Sequence, residues 1–228
     1  MSAVKDIRQL LQAEANPTQA KSLDHFGVAA DKAFGIRLPV LRKTAKEVGK
    51  DHELALALWN EDYHECKLLA PLLAEPQRTT LTEMDKWVQD IYSWDVCDQL
   101  CINLLVKLEE RWTLPERWAH SEEEYVRRAG LVMIVALRIH DKKAADETFE
   151  AFFYLLEKYA SDERNFVKKA VNWAIRELGK RSIHHYPQMI SLCQRLLETD
   201  SKPAHWIARD ALRELESEKV KQRLGLED

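Results

Sequence analysis

The chain has few glycines and cysteines, and both shortages narrow the classes of protein to which it can belong. Only 6 of its 228 residues are glycine, and no stretch of useful length alternates between apolar and polar residues as a half-buried strand would. The four cysteines form no Cys-x-x-Cys pair and lie within apolar helical patterns: Cys66, Cys97, Cys101 and Cys193. We therefore predict small reduced core residues rather than a disulfide framework or a zinc site.

Long apolar runs and a strong net charge are also absent. No stretch reaches the roughly eighteen uncharged apolar residues of a membrane span, and the opening MSAVKDIRQLLQAEANP has acids and amides where a signal peptide would have an apolar centre. We expect a cytoplasmic protein that binds no membrane. Because the formal net charge is −4, any site for a polyanion must be local.

What is present predicts an all-α chain. Apolar residues recur at helical spacing, and proline stands where the first turn of a helix tolerates it in four places: Asn16-Pro17, Leu38-Pro39, Leu114-Pro115 and Lys202-Pro203. Asn16 also has a side chain suited to an N-cap. With 46% hydrophobic residues the chain can build one substantial core, so we predict a single domain over residues 1–228.

Three segments of the second half resemble one another. They are YVRRAGLVMIVAL (125–137), FVKKAVNWAIREL (166–178) and WIARDALREL (206–215). Successive copies lie about 40 residues apart, a period typical of HEAT-like repeats, whose helix pairs bury their apolar faces by stacking on neighbouring pairs. We predict an α-solenoid of HEAT-like repeats that is curved and has a concave groove lined by equivalent helices.

Basic residues occupy equivalent positions in these copies. Spacings of four and three place one stripe on a single helix face of the second copy: Lys169, Trp173, Arg176 and Lys180. The corresponding residues are Arg128 in the first copy and His205, Arg209 and Arg213 in the third. Such a stripe would suit a regularly charged polyanion such as DNA. The alternative interpretation is an ordinary solvated face with a tryptophan that belongs to the core.

The segment SWDVCDQL places an indole and a carboxylate together. Trp94 and Asp98 lie one helical turn apart and share a face, whereas Asp95 has the routine role of an acid in a first turn. A carboxylate beside an aromatic wall can hold negative charge near a developing cation. With Trp173 and with Arg128 to grip a phosphate, the pair would suit a planar cationic group on a phosphodiester chain.

Four motifs carry a family resemblance. They are WDxxDxxxxxLL from Trp94, RRA around Arg128, AxxWxxRE around Trp173 and FGIRLPVLRKTAKEV at 34–48. In this order and spacing they resemble the DNA alkylation repair protein family, the HEAT-like alkylpurine DNA glycosylases. The resemblance runs from about Asn16 to Leu215.

The resemblance implies an enzyme of base excision repair that removes cationic N3- and N7-alkylated purines from double-stranded DNA by hydrolysing the N-glycosidic bond. It implies no metal and no cofactor. By this resemblance the catalytic residue is Asp98, and Trp94 and Trp173 contact the lesion. Phosphate contacts would come from Arg128, Arg176 and Lys180, and we add Arg37, Lys169 and Arg209 to them. Arg37 and Phe26 depart from the family pattern, which has glutamine and tyrosine there, and the departure bears on substrate range.

Three other interpretations stay open at this point. The same repeats would serve a non-catalytic protein that binds branched or distorted DNA, or a scaffold for protein partners. A more remote one is a metal site made by Asp95 and Asp98. We expect a monomer, because a groove that wraps duplex DNA needs no second subunit.

Overall fold

The fold is helical throughout the part of the chain that is described. The computed structural model describes residues 3–26 and 28–226, with the backbone alone at residues 25 and 26. Every regular element within these residues is a helix, which confirms the all-α prediction. None of these helices combines the length and the apolar character needed to cross a membrane. The chain divides into two compact units, Met1–Glu109 and Glu110–Asp228, and the prediction of one domain stays a prediction.

The first unit is arranged around one helix, α5. Its α-helices are α1 (Ala3–Ala13), α2 (Pro17–Ser22), α3 (Leu38–Val48), α4 (His52–Trp59), α5 (His64–Leu73), α6 (Leu81–Gln89) and α7 (Trp94–Asn103). Short 3-10 turns lie at Leu23–Phe26, Ala30–Lys32, Pro76–Arg78 and Leu105–Lys107. Helix α5 packs against α3, α4 and α7, so its side chains reach both the start of α3 and the start of α7.

The second unit stacks helix pairs in series. A 3-10 turn, Glu109–Trp112, leads into it, and its α-helices are α8 (Leu114–Ala119), α9 (Glu124–His140), α10 (Asp146–Glu150), α11 (Phe153–Tyr159), α12 (Asn165–Gly179), α13 (His185–Leu197), α14 (Lys202–Leu215) and α15 (Glu218–Leu224). Helix α12 packs between α9 and α14, and α8, α11 and α13 pack against these three. The three similar segments of the sequence therefore occupy equivalent, consecutively packed helices, as HEAT-like repeats require.

Local sequence signals explain where several helices begin. Proline lies in the first turn of α2, α3, α8 and α14, as the sequence predicted. The Asn16 side chain caps α2 by accepting a hydrogen bond from the amide of Gln19 at 3.1 Å. The apolar stretch FEAFFYLLEKY (149–159) contributes to two helices, because α10 ends at Glu150 and α11 begins only at Phe153.

Helices α8 and α9 cross closely in the core of the second unit. Every residue from Val126 to Leu137 is buried. A Cβ atom on Gly130 would lie 2.3 Å from the backbone nitrogen of Ala119, so only glycine fits this crossing. All four cysteines of the chain are buried and free of disulfide bonds, which confirms their interpretation as reduced core residues.

Candidate functional site

The N-terminus of α7 carries the tryptophan that the sequence singled out. Ser93 is the N-cap residue in an extended conformation, and Trp94 is the first helical residue. Ser93 is fully buried, whereas 36% of the Trp94 surface is exposed. The other residues of this helix are buried or half-buried, so Trp94 is the part of α7 that a ligand can reach from solvent.

A buried histidine of α5 holds the residues on both sides of Trp94. The ring of His64 lies 2.8 Å from the Tyr92 hydroxyl through Nδ1 and 2.8 Å from Oδ2 of Asp95 through Nε2. The other carboxylate oxygen of Asp95 accepts hydrogen bonds from the Ser93 hydroxyl at 2.7 Å and from the Val96 amide at 3.0 Å. Tyr92, Ser93 and Asp95 are thereby tied to α5, which fixes the backbone at Trp94.

This network settles the protonation state of Asp95. Burial opposes ionisation of the carboxyl group, but the hydrogen bonds from His64, Ser93 and the Val96 amide outweigh it and lower the pKa of Asp95. The carboxylate is therefore ionised at neutral pH. Its oxygens are engaged with His64, Ser93 and Val96, so Asp95 has the positioning role of a first-turn acid that the sequence suggested.

Asp98 lies one turn after Trp94 in α7. It is buried, with 7% of its surface exposed. Its neighbours in the sequence, Cys97 and Cys101, are fully buried and form part of the apolar side of the helix with Leu100. A carboxylate in such surroundings acts through a lower effective dielectric than one in water, so its field on a nearby cation is stronger.

The segment FGIRLP is held rigidly by another α5 residue, Glu65. The carboxylate of Glu65 accepts three backbone hydrogen bonds, from Phe34 at 2.9 Å, Gly35 at 2.7 Å and Ile36 at 3.0 Å. Gly35 has a φ of +73°, and a Cβ there would lie 2.2 Å from the Asn16 carbonyl oxygen, so glycine is required. Arg37 follows as the exposed N-cap residue of α3. The side chain of Phe26 lies outside the described residues.

The two arginines of the RRA motif are both buried in the second unit. Arg128 is 4% exposed, and its guanidinium donates a hydrogen bond to the Phe166 carbonyl oxygen at 2.7 Å. Arg127 pairs with Asp162 at 2.7 Å and lies over the Tyr159 ring at 4.5 Å. Arg127 therefore stabilises the unit, while Arg128 ties α9 to the first turn of α12.

The predicted stripe on α12 divides into two parts. Trp173 is half-buried and Lys169 is exposed, with the Lys169 ammonium 5.9 Å from the centre of the Phe166 ring. Lys169 lies near the N-terminal end of α12 and Trp173 lies close to its middle. Lys169 is therefore available for contact with an anion.

At the C-terminal end of α12 the basic charges are balanced by acids. Arg176 and Lys180 each lie 2.5 Å from a carboxylate oxygen of Glu214, and Lys180 also lies 2.8 Å from Glu177. Burial opposes ionisation of Glu214, but the two cations outweigh it and lower its pKa. A phosphate at Arg176 or Lys180 would therefore compete with Glu214.

The sequence missed one aromatic residue of this unit, Trp206 of α14. It is 41% exposed, and the Lys168 ammonium lies 4.8 Å from its ring centre. Trp206 borders a surface cavity of about 260 Å³ whose other lining residues are Lys202, His205, Arg209, Asp210 and Arg213. The third repeat thus combines an exposed indole with basic residues, as nucleic-acid-binding surfaces do. The spacing of Trp206 and Arg209 by three residues was the available signal.

The candidate residues therefore form two groups, each described within its own unit. The first unit contains Trp94, Asp98 and Arg37, and the second contains Arg128, Lys169, Trp173, Arg176, Lys180 and Arg209. The roles assigned to them from the sequence stay predictions.

Comparison with solved structures identifies the fold. One match belongs to a new family of proteins related to the HEAT-like repeat DNA glycosylases with affinity for branched DNA structures. It has 18% identity and a TM-score of 0.78, covering 98% of this chain and 97% of its own, which confirms the HEAT-like fold. An engineered protein (12% identity, 94% and 99% coverage, TM-score 0.41) and a designed armadillo repeat protein (14%, 87% and 99%, 0.37) also match.

Comparison of the sequence itself identifies the family. No curated protein sequence matches significantly. The family model described as DNA alkylation repair enzyme, however, matches residues 7–215, which is nearly the whole chain. The chain therefore belongs to the DNA alkylation repair enzyme family.

Proposed function

We propose that the protein is a DNA glycosylase that excises cationic N3- and N7-alkylated purines from duplex DNA by hydrolysing the N-glycosidic bond. The observation that carries this proposal is the buried carboxylate of Asp98 one turn after the exposed indole of Trp94. Membership of the DNA alkylation repair enzyme family supports it.

The base can leave without help from an acid of the protein. An alkylated purine already carries a positive charge, so it departs as a neutral base without a general acid. The costly species is the oxocarbenium-like sugar, and a fixed carboxylate stabilises that charge electrostatically. In this proposal Asp98 supplies the carboxylate and orients or deprotonates the attacking water, and no metal or cofactor takes part.

The indoles are assigned to contact with the lesion. The face of an indole attracts cations and contacts sugar C–H groups, and the proposal assigns this role to Trp94 and Trp173. The network of His64 and Asp95 supports the assignment for Trp94, because a fixed backbone lowers the cost of ordering the indole in the complex.

The proposed phosphate contacts differ in how much the side chains must rearrange to make them. Arg37, Lys169 and Arg209 are exposed and would bind phosphates with little rearrangement. Arg176 and Lys180 would first have to give up their ion pairs with Glu214. Arg128 is buried and donates a hydrogen bond to the Phe166 carbonyl oxygen, so a phosphate contact there requires its guanidinium to become exposed.

The test is release of 3-methyladenine or 7-methylguanine from methylated duplex DNA, measured by chromatography at low salt. The unaltered protein should release base and Asp98→Asn should not. Asp200→Asn, which changes an exposed acid, is the matched control and should act like the unaltered protein. Circular dichroism and thermal unfolding check that Asp98→Asn folds. No release by the unaltered protein would contradict the proposal.

A second candidate function is binding of branched DNA without excision. It is favoured by the 0.78 TM-score to a protein whose family has affinity for branched DNA structures. It predicts that a four-way junction binds more tightly than linear duplex of the same length, that Asp98→Asn leaves this affinity unchanged and that no base is released. If the protein binds neither DNA, a protein partner becomes the better candidate. The cytoplasmic location and the monomeric state stay predictions.

A further inference from the structure

Two histidines and a glutamate that have no role in the proposed site meet on the second unit. Glu150 ends α10, and His184 and His185 stand at the start of α13. One potential ligand atom from each residue lies within 4.8 Å of the other two. His184 Nε2 and Glu150 Oε1 are already 2.6 Å apart. These are side chains that bind divalent transition metals.

His185 is prepared for this role by its hydrogen bonding. The residue is fully buried, and its Nε2 lies 3.0 Å from the Asp146 carbonyl oxygen. A carbonyl oxygen only accepts hydrogen bonds, so Nε2 carries the proton and Nδ1 carries the lone pair. Within the described residues Nδ1 is a buried atom without a hydrogen-bond partner. Such an atom costs stability unless a ligand engages it.

His185 also makes the hydrogen bond to a backbone carbonyl that metal-bound histidines often make through their other ring nitrogen. A backbone carbonyl that accepts the far N–H of the ring fixes the tautomer and orients the imidazole, which is the role of Asp146 here. The Asp146 carboxylate pairs with Arg181 at 2.7 Å. It is therefore engaged elsewhere, and the ligand set consists of two imidazoles and the Glu150 carboxylate.

A fourth residue occupies the place between two of these ligands. The amide nitrogen of Gln188 lies 3.0 Å from Glu150 Oε1 and 3.2 Å from His184 Nε2. A cation at this point would replace the amide hydrogens as the partner of both atoms. Glu150 and His184 are partly exposed, so an ion can reach the site from solvent and the two side chains can adjust their rotamers.

We propose that Glu150, His184 and His185 bind a divalent transition-metal ion of the zinc type, with His185 Nδ1 as the buried ligand. Bond lengths of about 2.1 Å in a tetrahedral site place ligand atoms roughly 3.4 Å apart. One potential ligand atom of each side chain now lies within 4.8 Å of the other two, so side-chain rotation has to bring the three groups closer together around the ion. The fourth position is left for water. Because its ligands come from α10 and α13, the ion would fasten these two helices together.

The experiment is calorimetric titration of chelator-treated full-length protein with Zn²⁺, accompanied by Co²⁺ titration followed by visible absorption. We expect one Zn²⁺ per chain and the strong visible bands of tetrahedral Co²⁺. Glu150→Gln and His184→Gln should each weaken Zn²⁺ binding about tenfold or more and abolish the Co²⁺ bands. Both residues are partly exposed, so these variants should fold.

The matched control is His205→Gln, which changes a histidine of α14 outside the cluster and should bind Zn²⁺ as the unaltered protein does. Cys66 and Cys193 should not compete, because burial raises the pKa of each thiol to about 12. Absence of Zn²⁺ binding would overturn the proposal. So would binding that both variants retain, since it would lie elsewhere on the chain. Neither result depends on excision of alkylated bases.

Discussion

The Nε2 atom of His64 lies 2.8 Å from Oδ2 of Asp95, the residue that directly follows Trp94. The His64 side chain is 2% exposed and that of Asp95 is 24% exposed, so the pair is largely shielded from solvent. It links α5 to the first turn of α7 and sets the point from which the indole of Trp94 projects. The geometry of the candidate catalytic helix thus depends on a histidine 31 residues earlier in the chain.

Removing that histidine should lower the stability of the fold. His64→Ala removes the residue that the Asp95 carboxylate and the Tyr92 hydroxyl both contact. We therefore expect the free energy of unfolding to fall by about 3 kcal/mol. Urea denaturation measures this loss. His205→Ala, which removes a partly exposed ring, should change stability by less than about 0.5 kcal/mol. Equal losses in the two variants would contradict the anchoring role of His64.

Ionisation of Asp162 in the second unit should contribute to the pH dependence of stability. Burial opposes its ionisation, but hydrogen bonds from Arg164 and Arg127 outweigh burial and lower its pKa from 3.8 to about 2. Because the folded pKa is the lower one, ionised Asp162 stabilises the fold above about pH 4, and the contribution disappears as the pH falls toward 2. This lowering of the Asp162 pKa corresponds to about 2 kcal/mol in the free energy of unfolding.

Urea denaturation at several pH values checks this. The unaltered protein should lose stability between about pH 5 and pH 2 more steeply than Asp162→Asn does. The two proteins should converge at the acidic end of the range. Parallel curves at all pH values would mean that Asp162 does not titrate with a lowered pKa.

The close crossing of α8 and α9 predicts a contrast between two glycine substitutions. Gly130→Ala forces a Cβ to within 2.3 Å of a backbone nitrogen, which must separate the two helices, and we expect a loss of about 3 kcal/mol. Gly225→Ala meets no atom within 4 Å, and its φ of +68° and ψ of 35° lie in the left-handed region, which should cost about 1 kcal/mol. Thermal and urea unfolding measure both losses. A larger loss at Gly225 would be inconsistent with the close crossing.

Salt dependence should separate the exposed cations from those that form ion pairs with acids. Arg209→Ala removes an exposed charge and should reduce the slope of log affinity against log salt by about 1 for duplex DNA. Arg176→Ala should reduce it less, because Arg176 is paired with Glu214. Fluorescence anisotropy over a range of salt concentrations gives both slopes. Identical reductions would mean that Glu214 releases Arg176 to the DNA.

The sequence predicted those features that depend on neighbours along the chain. Proline in first turns, the Asn16 cap and the similar segments of α9, α12 and α14 are local or periodic signals. Buried runs and the reduced cysteines followed from apolar spacing alone. Residues three and four apart meet on a helix wherever that helix packs, so such patterns remain informative without a structure.

The sequence did not predict contacts between residues that are distant along the chain. Nothing near Asp95 indicated His64, and nothing near Arg176 indicated Glu214, because pairs separated by 31 or 38 residues form only when helices pack. The same holds for Glu150 and His184, which lie on different helices. Chain folding, rather than local propensity, determines which of these charges remain available to a ligand.

The most direct test of the central claim is the single-turnover rate constant of base release from duplex DNA containing 7-methylguanine, with protein in excess. We expect Asp98→Asn to lower this rate constant at least about 100-fold, the range found when one preorganised electrostatic stabiliser is removed. Its DNA affinity should change little, and Asp200→Asn should match the unaltered protein. A folded Asp98→Asn protein that releases base at the unaltered rate would contradict the assignment of Asp98 as the catalytic carboxylate.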